Sequence, residues 1–127
     1  MTGAANAEAN KELVSTVMTA VFIRRDFDAV AKYFSPTYKQ HNPAIPDGPT
    51  AIPALVQALP GSFKYEPGMI VADGNLVMIH GRYSGWADKP MVAVDIFRIV
   101  DGKLAEHWDV MQEEVPAAAT KSGNPMF

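Results

Sequence analysis

The order of the secondary structure elements that the sequence predicts constrains the fold more than any other feature. In the first half of the chain, apolar residues recur at the spacing of amphipathic helices, and in the second half they follow the alternation of strands. The predicted helices cover residues 7–25, a short segment from the N-cap Asp26 to Pro36, and a third segment from the cap Thr50 to Pro60. The predicted strands cover residues 65–72, 76–84, 91–100 and 103–115. This order predicts an α+β fold, in which three helices pack on a curved, mainly antiparallel sheet and form a cone-shaped barrel around a pocket.

The segments between these elements predict a single domain. Residues 38–42 are expected to be extended, and the proline-rich residues 43–49 are expected to form a loop. Asp-Gly pairs at 73–74 and 101–102 predict hairpin turns. The domain is expected to span residues 1–115, with residues 116–127 as a C-terminal tail.

The composition excludes several classes of function. The chain contains no cysteine, so disulfides, a thiolate nucleophile and iron–sulfur clusters are excluded. Its formal net charge is −3 and its basic residues are scattered, which argues against binding to nucleic acid or to an anionic membrane. No apolar run approaches the roughly 20 residues that a membrane-spanning helix needs, and no signal peptide is recognisable. A cytoplasmic protein is expected.

The register between the last two predicted strands determines which polar side chains share a face. A two-residue turn at 101–102 would place Asp95 opposite Trp108, whereas a three-residue loop at 100–102 would place Asp95 opposite His107. We choose the three-residue loop, because it separates a face with ionisable groups from a largely apolar one.

The face chosen in this way carries three ionisable side chains among apolar ones. Asp95, His107 and Asp109 interrupt a surface that also includes Phe97 and Met111. The opposite face is expected to hold Val92, Val94, Ile96, Leu104, Trp108 and Val110. Because a buried lone carboxylate is costly, three converging ionisable groups indicate a pocket with acid/base capacity, although a cross-strand Asp–His pair can also be purely structural.

Two further histidines are candidates for the same pocket. His41 precedes the proline-rich loop, a usual position for a pocket rim, and His80 lies mid-strand beside Gly81, which permits close approach of a ligand. Either histidine taken alone is more often structural than catalytic. Since the histidines lack the His-x-His or His-x-x-x-His spacing of metal ligands, no metal site is predicted.

Four short motifs of the chain form a recognisable set. They are Tyr38-x-Gln40-His41-Asn42-Pro43, Val94-Asp95-Ile96-Phe97-Arg98, Asp101-Gly102-Lys103-Leu104 and Glu106-His107-Trp108-Asp109-Val110-Met111-Gln112. This set resembles the SnoaL-like family, the polyketide cyclases, within the cone-shaped superfamily that includes nuclear transport factor two and ketosteroid isomerase. The resemblance covers nearly the whole chain.

The resemblance implies a cofactor-free aldol-type cyclisation, or an isomerisation through an enolate, of an apolar carbonyl-containing substrate such as a polyketide. Asp109 falls on the family's acid/base aspartate, with His107 orienting or protonating it. Asp95 matches the oxyanion-stabilising aspartate of ketosteroid isomerase, a role that requires a protonated carboxyl. Asn42 replaces that enzyme's proton-abstracting aspartate, which disfavours steroid isomerisation. The expected substrate-binding residues are His41, His80, Tyr38, Phe97 and Met111.

Two other classes of function remain open at this point. One is a non-catalytic binding module of the same fold, which would hold a small molecule without converting it. The other is an assembly subunit that binds a different protein. The resemblance and the apolar face of the sheet both favour a homodimer over either a monomer or a mixed assembly.

Overall fold

Three helices and a five-stranded sheet pack as two layers in the computed structural model, which describes the backbone of residues 3–127 and the side chains of residues 6–127. The helices are α1 (Gly3–Met18), which continues into one π-helical turn (Thr19–Ile23), α2 (Asp28–Tyr33) and α3 (Ala51–Ala58). The strands are β1 (Phe34–Gln40), β2 (Lys64–Asp73), β3 (Leu76–Ser84), β4 (Met91–Val100) and β5 (Lys103–Glu113), and a 3-10 turn (Ala117–Ala119) follows. The predicted α+β cone is confirmed. The first two residues of the predicted domain, 1–115, lie outside the described residues.

Strand β1 is an element whose start and extent the sequence did not reveal. The sheet order is β1-β5-β4-β3-β2, with β1 parallel to β5 and the other neighbours antiparallel. The prediction that Pro36 ends the second helix is wrong, because α2 ends at Tyr33 and Pro36 lies inside β1. An edge strand tolerates a proline, since one of its sides forms no ladder.

The hairpin between β4 and β5 differs from the three-residue loop that we predicted. Val100 pairs with Lys103, so the turn has two residues, and Asp101 and Gly102 both have positive φ, 50° and 72°. A β-bulge follows, because Ile99 pairs with Leu104 and the next pair joins Arg98 to Glu106. The Asp-Gly pair accepts the two left-handed conformations that the short turn needs. The extra residue at the bulge then restores the separation of the two faces.

The bulge keeps the ionisable residues together but in a different register. Asp95 lies opposite Asp109 rather than opposite His107, which pairs with Phe97. Leu104, which we expected on the largely apolar face opposite the ionisable residues, is fully buried in the core. All three ionisable residues therefore share the inner face of the sheet, as predicted.

The inner face of the sheet packs against the helices. Val14, Val17 and Val21 of the first helical segment and Val56 of α3 are almost completely buried together with Val77 of β3. The opposite surface, here called the outer face, carries a continuous row of apolar side chains across β2 to β5. Its members are Val71, Met78, Val94, Ile96, Trp108 and Val110.

The C-terminal tail packs on the outer face. The Phe127 ring centroid lies 4.6 Å from the guanidinium carbon of Arg82 and 5.4 Å from the His80 ring. Gly68 makes room for this ring, because a Cβ at that position would lie 3.0 Å from a Phe127 ring carbon. Among the helices of the described residues, none is long and apolar enough to cross a membrane.

Candidate active site

A cavity lies between the helices and the inner face of the sheet. Aromatic and aliphatic side chains form most of its wall, and the polar side chains come from β1, β3, β4 and β5. The cavity volume is about 30 Å³. That volume holds about two water molecules, so a bulky ligand must displace side chains to enter. The polar groups on the wall are Tyr38, Gln40, Tyr83, Asp95, His107 and Asp109.

Asp95 and His107 form the buried centre of this site. Their exposed fractions are only 4% and 6%. Nε2 of His107 lies 2.8 Å from Oδ1 of Asp95, and the Tyr83 hydroxyl donates to Oδ2 of Asp95 at 2.6 Å. Both oxygens of Asp95 are therefore engaged, which offsets the cost of burying the carboxylate.

Gln40 holds the opposite side of the histidine ring. β1 runs parallel to β5 and pairs Gln40 with His107, so that Oε1 of Gln40 lies 2.6 Å from Nδ1 of the ring. The same Oε1 accepts the backbone N–H of Asn42 at 3.1 Å. Because both ring nitrogens are engaged, the orientation of His107 is fixed at its two ends.

Asp109 is the least constrained carboxylate of the cluster. Its Oδ2 accepts Nδ2 of Asn42 at 2.7 Å and lies 3.8 Å from Nε2 of His107. Oδ1 of Asn42 accepts the N–H of Ala44 at 2.8 Å, which fixes the orientation of this amide. Within residues 6–127, no donor contacts Oδ1 of Asp109, so that oxygen retains its capacity to accept a proton.

The tyrosines of the cavity stay protonated. Burial, followed by the charge of Asp95, raises the pKa of Tyr83 well above its usual range, and the same two causes raise the pKa of Tyr38. The Tyr83 hydroxyl donates its proton to a hydrogen bond with Asp95. Tyr38 accepts a long hydrogen bond from Gln40, at 3.5 Å, and its proton has no acceptor in the described part of the chain. Tyr38 is therefore a hydrogen-bond donor available to a ligand.

Six of the eight side chains that we assigned to the site line the cavity. These are Asp95, His107, Asp109, Tyr38, Phe97 and Met111.

The two remaining assignments, His41 and His80, do not line this cavity. His80 belongs to the alternate set of β3 residues and contacts Phe127 on the outer face. His41 stacks on Trp108, with ring centroids 4.8 Å apart and planes 3° from parallel, and its Nε2 lies 2.7 Å from Glu106.

Three residues that hold the site together were not among those predicted: Gln40, Asn42 and Tyr83. For two of them a signal was present. Side chains along a strand alternate between faces, so Tyr38, Gln40 and Asn42 share a side that excludes His41.

The cluster suits a proton better than a metal ion. One potential ligand atom from each of Asp95, His107 and Asp109 lies within 4.8 Å of the others. However, both nitrogens of His107 already form hydrogen bonds, and a cation at Nε2 would have to displace Asp95 from a 2.8 Å contact. The arrangement is that of a hydrogen-bonded acid/base cluster.

The cone-shaped α+β domain with an acid/base cluster inside it defines a general class of proteins. Comparison with known proteins identifies the family within this class. The family model described as the SnoaL-like domain matches residues 15–107, and the chain belongs to this family. The family resemblance that we drew from the sequence motifs is confirmed. The match ends at His107, two residues before Asp109. No curated protein matches the sequence significantly.

Solved structures share the fold at low sequence identity. A putative ketosteroid isomerase from Kribbella flavida is 18% identical over 85% of this chain and 81% of its own, with a TM-score of 0.72. A putative polyketide cyclase from Acidithiobacillus ferrooxidans is 19% identical, covering 82% of this chain and 88% of its own, with a TM-score of 0.69. An epoxide hydrolase of the LEH-like type from M. tuberculosis is 17% identical over 84% of each chain, with a TM-score of 0.68. At these identities the likeness shows the fold alone.

Proposed function

We propose that the protein is a cofactor-free acid/base enzyme that acts on an apolar carbonyl compound, with Asp109 as the base. The observation that carries this proposal is the hydrogen bonding of the Asp109 carboxylate. One oxygen of its carboxylate is held by Asn42, and the other meets no donor from residues 6–127, on the wall of a mostly apolar cavity. A positioned carboxylate in such surroundings is a competent general base.

The proposed reaction begins with removal of a proton from the carbon next to the carbonyl group. The Asp109 carboxylate takes the proton, the C–H electron pair forms the enolate, and negative charge develops on the carbonyl oxygen. The Tyr38 hydroxyl, whose proton has no acceptor in the described residues, is the donor suited to that oxygen. A hydrogen bond of this kind is strengthened where water is excluded. In one branch the enolate carbon attacks a second carbonyl, whose π electron pair moves to oxygen, and the resulting alkoxide takes the proton from Asp109. In the other branch a conjugated enolate takes that proton back from Asp109 at a different carbon.

Asp95 has a different role in this proposal from the one its sequence position suggests. Both of its oxygens are occupied, by His107 and by Tyr83. It is therefore a positioning residue for His107 rather than a donor to the enolate oxygen. His107 in turn lies 3.8 Å from Asp109 and orients its carboxylate electrostatically.

The size of the cavity bears on the substrate class. A volume of about 30 Å³ does not accommodate a polycyclic ligand without movement of the wall. Met18 and Met111 line this wall, and their flexible side chains can yield. We therefore propose compact carbonyl compounds, with one ring or an open chain, as the preferred substrates.

We also propose a cytoplasmic location, which the lack of cysteine fits.

A ligand screen tests the proposal. Thermal unfolding of the wild type and of Asp109→Asn would be followed with a panel of cyclic and open-chain carbonyl compounds, with product analysis of each compound that raises the melting temperature. The proposal predicts stabilisation of both proteins and conversion by the wild type alone. Stabilisation without conversion by either protein would instead support a binding module, which is the second candidate for a cavity this closely packed.

A further inference from the structure

We propose that Gln40 is a positioning residue that keeps His107 doubly protonated, as an imidazolium between two carboxylates. Its contribution to catalysis rests on the function proposed above. The protonation state itself is a property of the ligand-free protein and can be measured without a substrate.

The orientation of the Gln40 amide follows from contacts other than the one with His107. Its Oε1 lies 3.1 Å from the backbone N of Asn42, which is always a donor, and its Nε2 lies 3.5 Å from the Tyr38 hydroxyl oxygen. Exchanging the two amide atoms would set an NH₂ group against the N–H of Asn42, so that two donors would face each other. Gln40 therefore presents an oxygen, which can only accept, to Nδ1 of the ring.

Both nitrogens of His107 consequently face acceptors. Nδ1 must carry a proton to bond with Gln40 at 2.6 Å. Nε2 lies 2.8 Å from Oδ1 of Asp95, and this contact also needs a proton between its two atoms. A neutral imidazole with a proton on Nδ1 has none on Nε2. A second proton must therefore lie between His107 and Asp95.

The surroundings favour the ring as the holder of this second proton. A free imidazole binds a proton more tightly than a free carboxylate does. The Tyr83 hydroxyl donates to the other oxygen of Asp95 at 2.6 Å, which stabilises the carboxylate form. The Asp109 carboxylate, 3.8 Å from Nε2, adds a second negative charge beside the ring. The cluster thus holds one positive charge and two negative ones.

This charge state matters to the proposed reaction through Asp109. Without an acceptor at position 40, the ring would keep one proton on Nε2, donate it to Asp95 and become neutral. Asp109 would then lose the positive charge beside its carboxylate. Since a general base must be ionised before it can accept a proton, Gln40 supports the base through His107 without touching the substrate.

Nitrogen NMR of the complete, ligand-free chain labelled with ¹⁵N-histidine tests the proposal. The chain has three histidines, and the variants His41→Gln and His80→Gln would assign their resonances. We expect both His107 nitrogens to carry a proton at neutral pH. A bare Nε2 would place the second proton on Asp95, a bare Nδ1 would mean that Gln40 presents its NH₂ group, and either result would overturn the proposal.

Variants at position 40 test whether Gln40 causes this state. In Gln40→Leu we expect His107 to lose the Nδ1 proton and keep the Nε2 proton, whereas Gln40→Glu, which retains an acceptor, keeps both. Gln57→Leu, on the exposed side of α3, is the matched control and leaves the spectrum unchanged. Should Gln40→Leu not fold, the unbranched Gln40→Met takes its place. Two protons on His107 in a folded Leu or Met variant would refute the role of Gln40.

The NMR result and the proposed function can fail separately. An imidazolium in a protein that converts no carbonyl compound would refute the proposed function alone. A neutral His107 in an active protein would refute the role of Gln40 alone.

Discussion

Nδ2 of Asn42 lies 2.7 Å from Oδ2 of Asp109, and this contact joins the loop after β1 to the inner face of the neighbouring strand β5. The amide donates to one carboxylate oxygen and leaves the other free, so it defines the direction from which Asp109 can accept a proton. The backbone N–H of Ala44 fixes the amide in turn.

Asn42→Ala is expected to reduce turnover with little loss of fold. A hydrogen bond to a charged group contributes about 1.5–3 kcal/mol, and losing that amount in the transition state would slow the reaction by roughly 10- to 100-fold. The steady-state rate on a substrate found in the screen is the measurement. Asn124→Ala, in the exposed C-terminal tail, serves as the control. An unchanged rate for a folded Asn42→Ala protein would show that this contact does not position the base.

Two neighbouring tyrosines should respond in opposite ways to loss of the hydroxyl. Tyr83 donates to Asp95 at 2.6 Å, whereas the Tyr65 hydroxyl is buried without a partner in the described residues. Tyr83→Phe leaves Asp95 short of a donor and should lower the free energy of unfolding by about 1–3 kcal/mol. Tyr65→Phe removes an unsatisfied group and should leave that free energy unchanged or raise it. Urea titrations compare the two, and equal losses would contradict the contacts seen here.

Glu106 should make the stability of the protein depend on pH in the acid range. A hydrogen bond from His41, and a further one from Arg98, hold the pKa of Glu106 below its ordinary value of 4.5. A carboxyl whose pKa is lower in the folded chain stabilises the fold above the unfolded pKa, and this contribution disappears as the pH falls through the folded pKa. The free energy of unfolding of the wild type should therefore exceed that of Glu106→Gln near neutral pH.

The decisive comparison for Glu106 is the difference between the two proteins across the acid range. This difference should shrink as the pH falls below 4.5. A difference that stays constant from neutral to strongly acid pH would mean that the carboxylate charge contributes nothing. Solvent exposure of this surface pair keeps the expected effect small.

The sequence was sufficient to predict the fold and six of the fourteen residues that line the cavity, for reasons that individual residues make clear. Helical spacing and strand alternation are local patterns, and alternation along β5 is enough to place His107 and Asp109 on one face. That Asp95 shares this face depends on the register between β4 and β5. The same rule would have excluded His80, which alternates with the buried Ile79 and Gly81. His41 likewise alternates with Gln40 and Asn42 and therefore points to the other side of the chain.

What remained hidden depends on contacts between distant segments. The bulge near Leu104 restores a register between β4 and β5 that the two-residue turn alone would not give, and no single residue of the sequence predicts this bulge. The partnership of Gln40 with His107 requires β1 to lie parallel to β5 at the sheet edge, and Tyr83 reaches Asp95 from a third strand. Such pairings are decided by strand order, which the pattern of apolar residues does not encode.

The outer face supports the prediction of a homodimer. Val110 is 70% exposed, Val71 59% and Met78 39%, and register links these positions to Ile96 and Trp108 in neighbouring strands. An apolar surface of this extent is usually covered in solution. Light scattering coupled to size exclusion should give twice the chain mass for the wild type.

Charge placed on the outer face should then dissociate the dimer. Val110→Lys is expected to run as a monomer, and Ile23→Lys, an exposed apolar site in the π-helical turn rather than on the outer face, should remain dimeric. A wild-type monomer, or a Val110→Lys dimer, would show that this face does not join two copies. A measured mass that includes a second, co-purified protein would favour an assembly subunit.

Hydrogen–deuterium exchange at carbon tests the central claim most directly, because it detects proton abstraction whatever the later steps are. A simple ketone that stabilises the protein and exchanges slowly by itself would be incubated in D₂O with the wild type, Asp109→Asn or the exposed control Asp88→Asn, and deuterium next to the carbonyl followed by NMR. The account predicts incorporation with the wild type and Asp88→Asn, and only the uncatalysed rate with Asp109→Asn. Equal incorporation with a folded Asp109→Asn protein would contradict the assignment of Asp109 as the base.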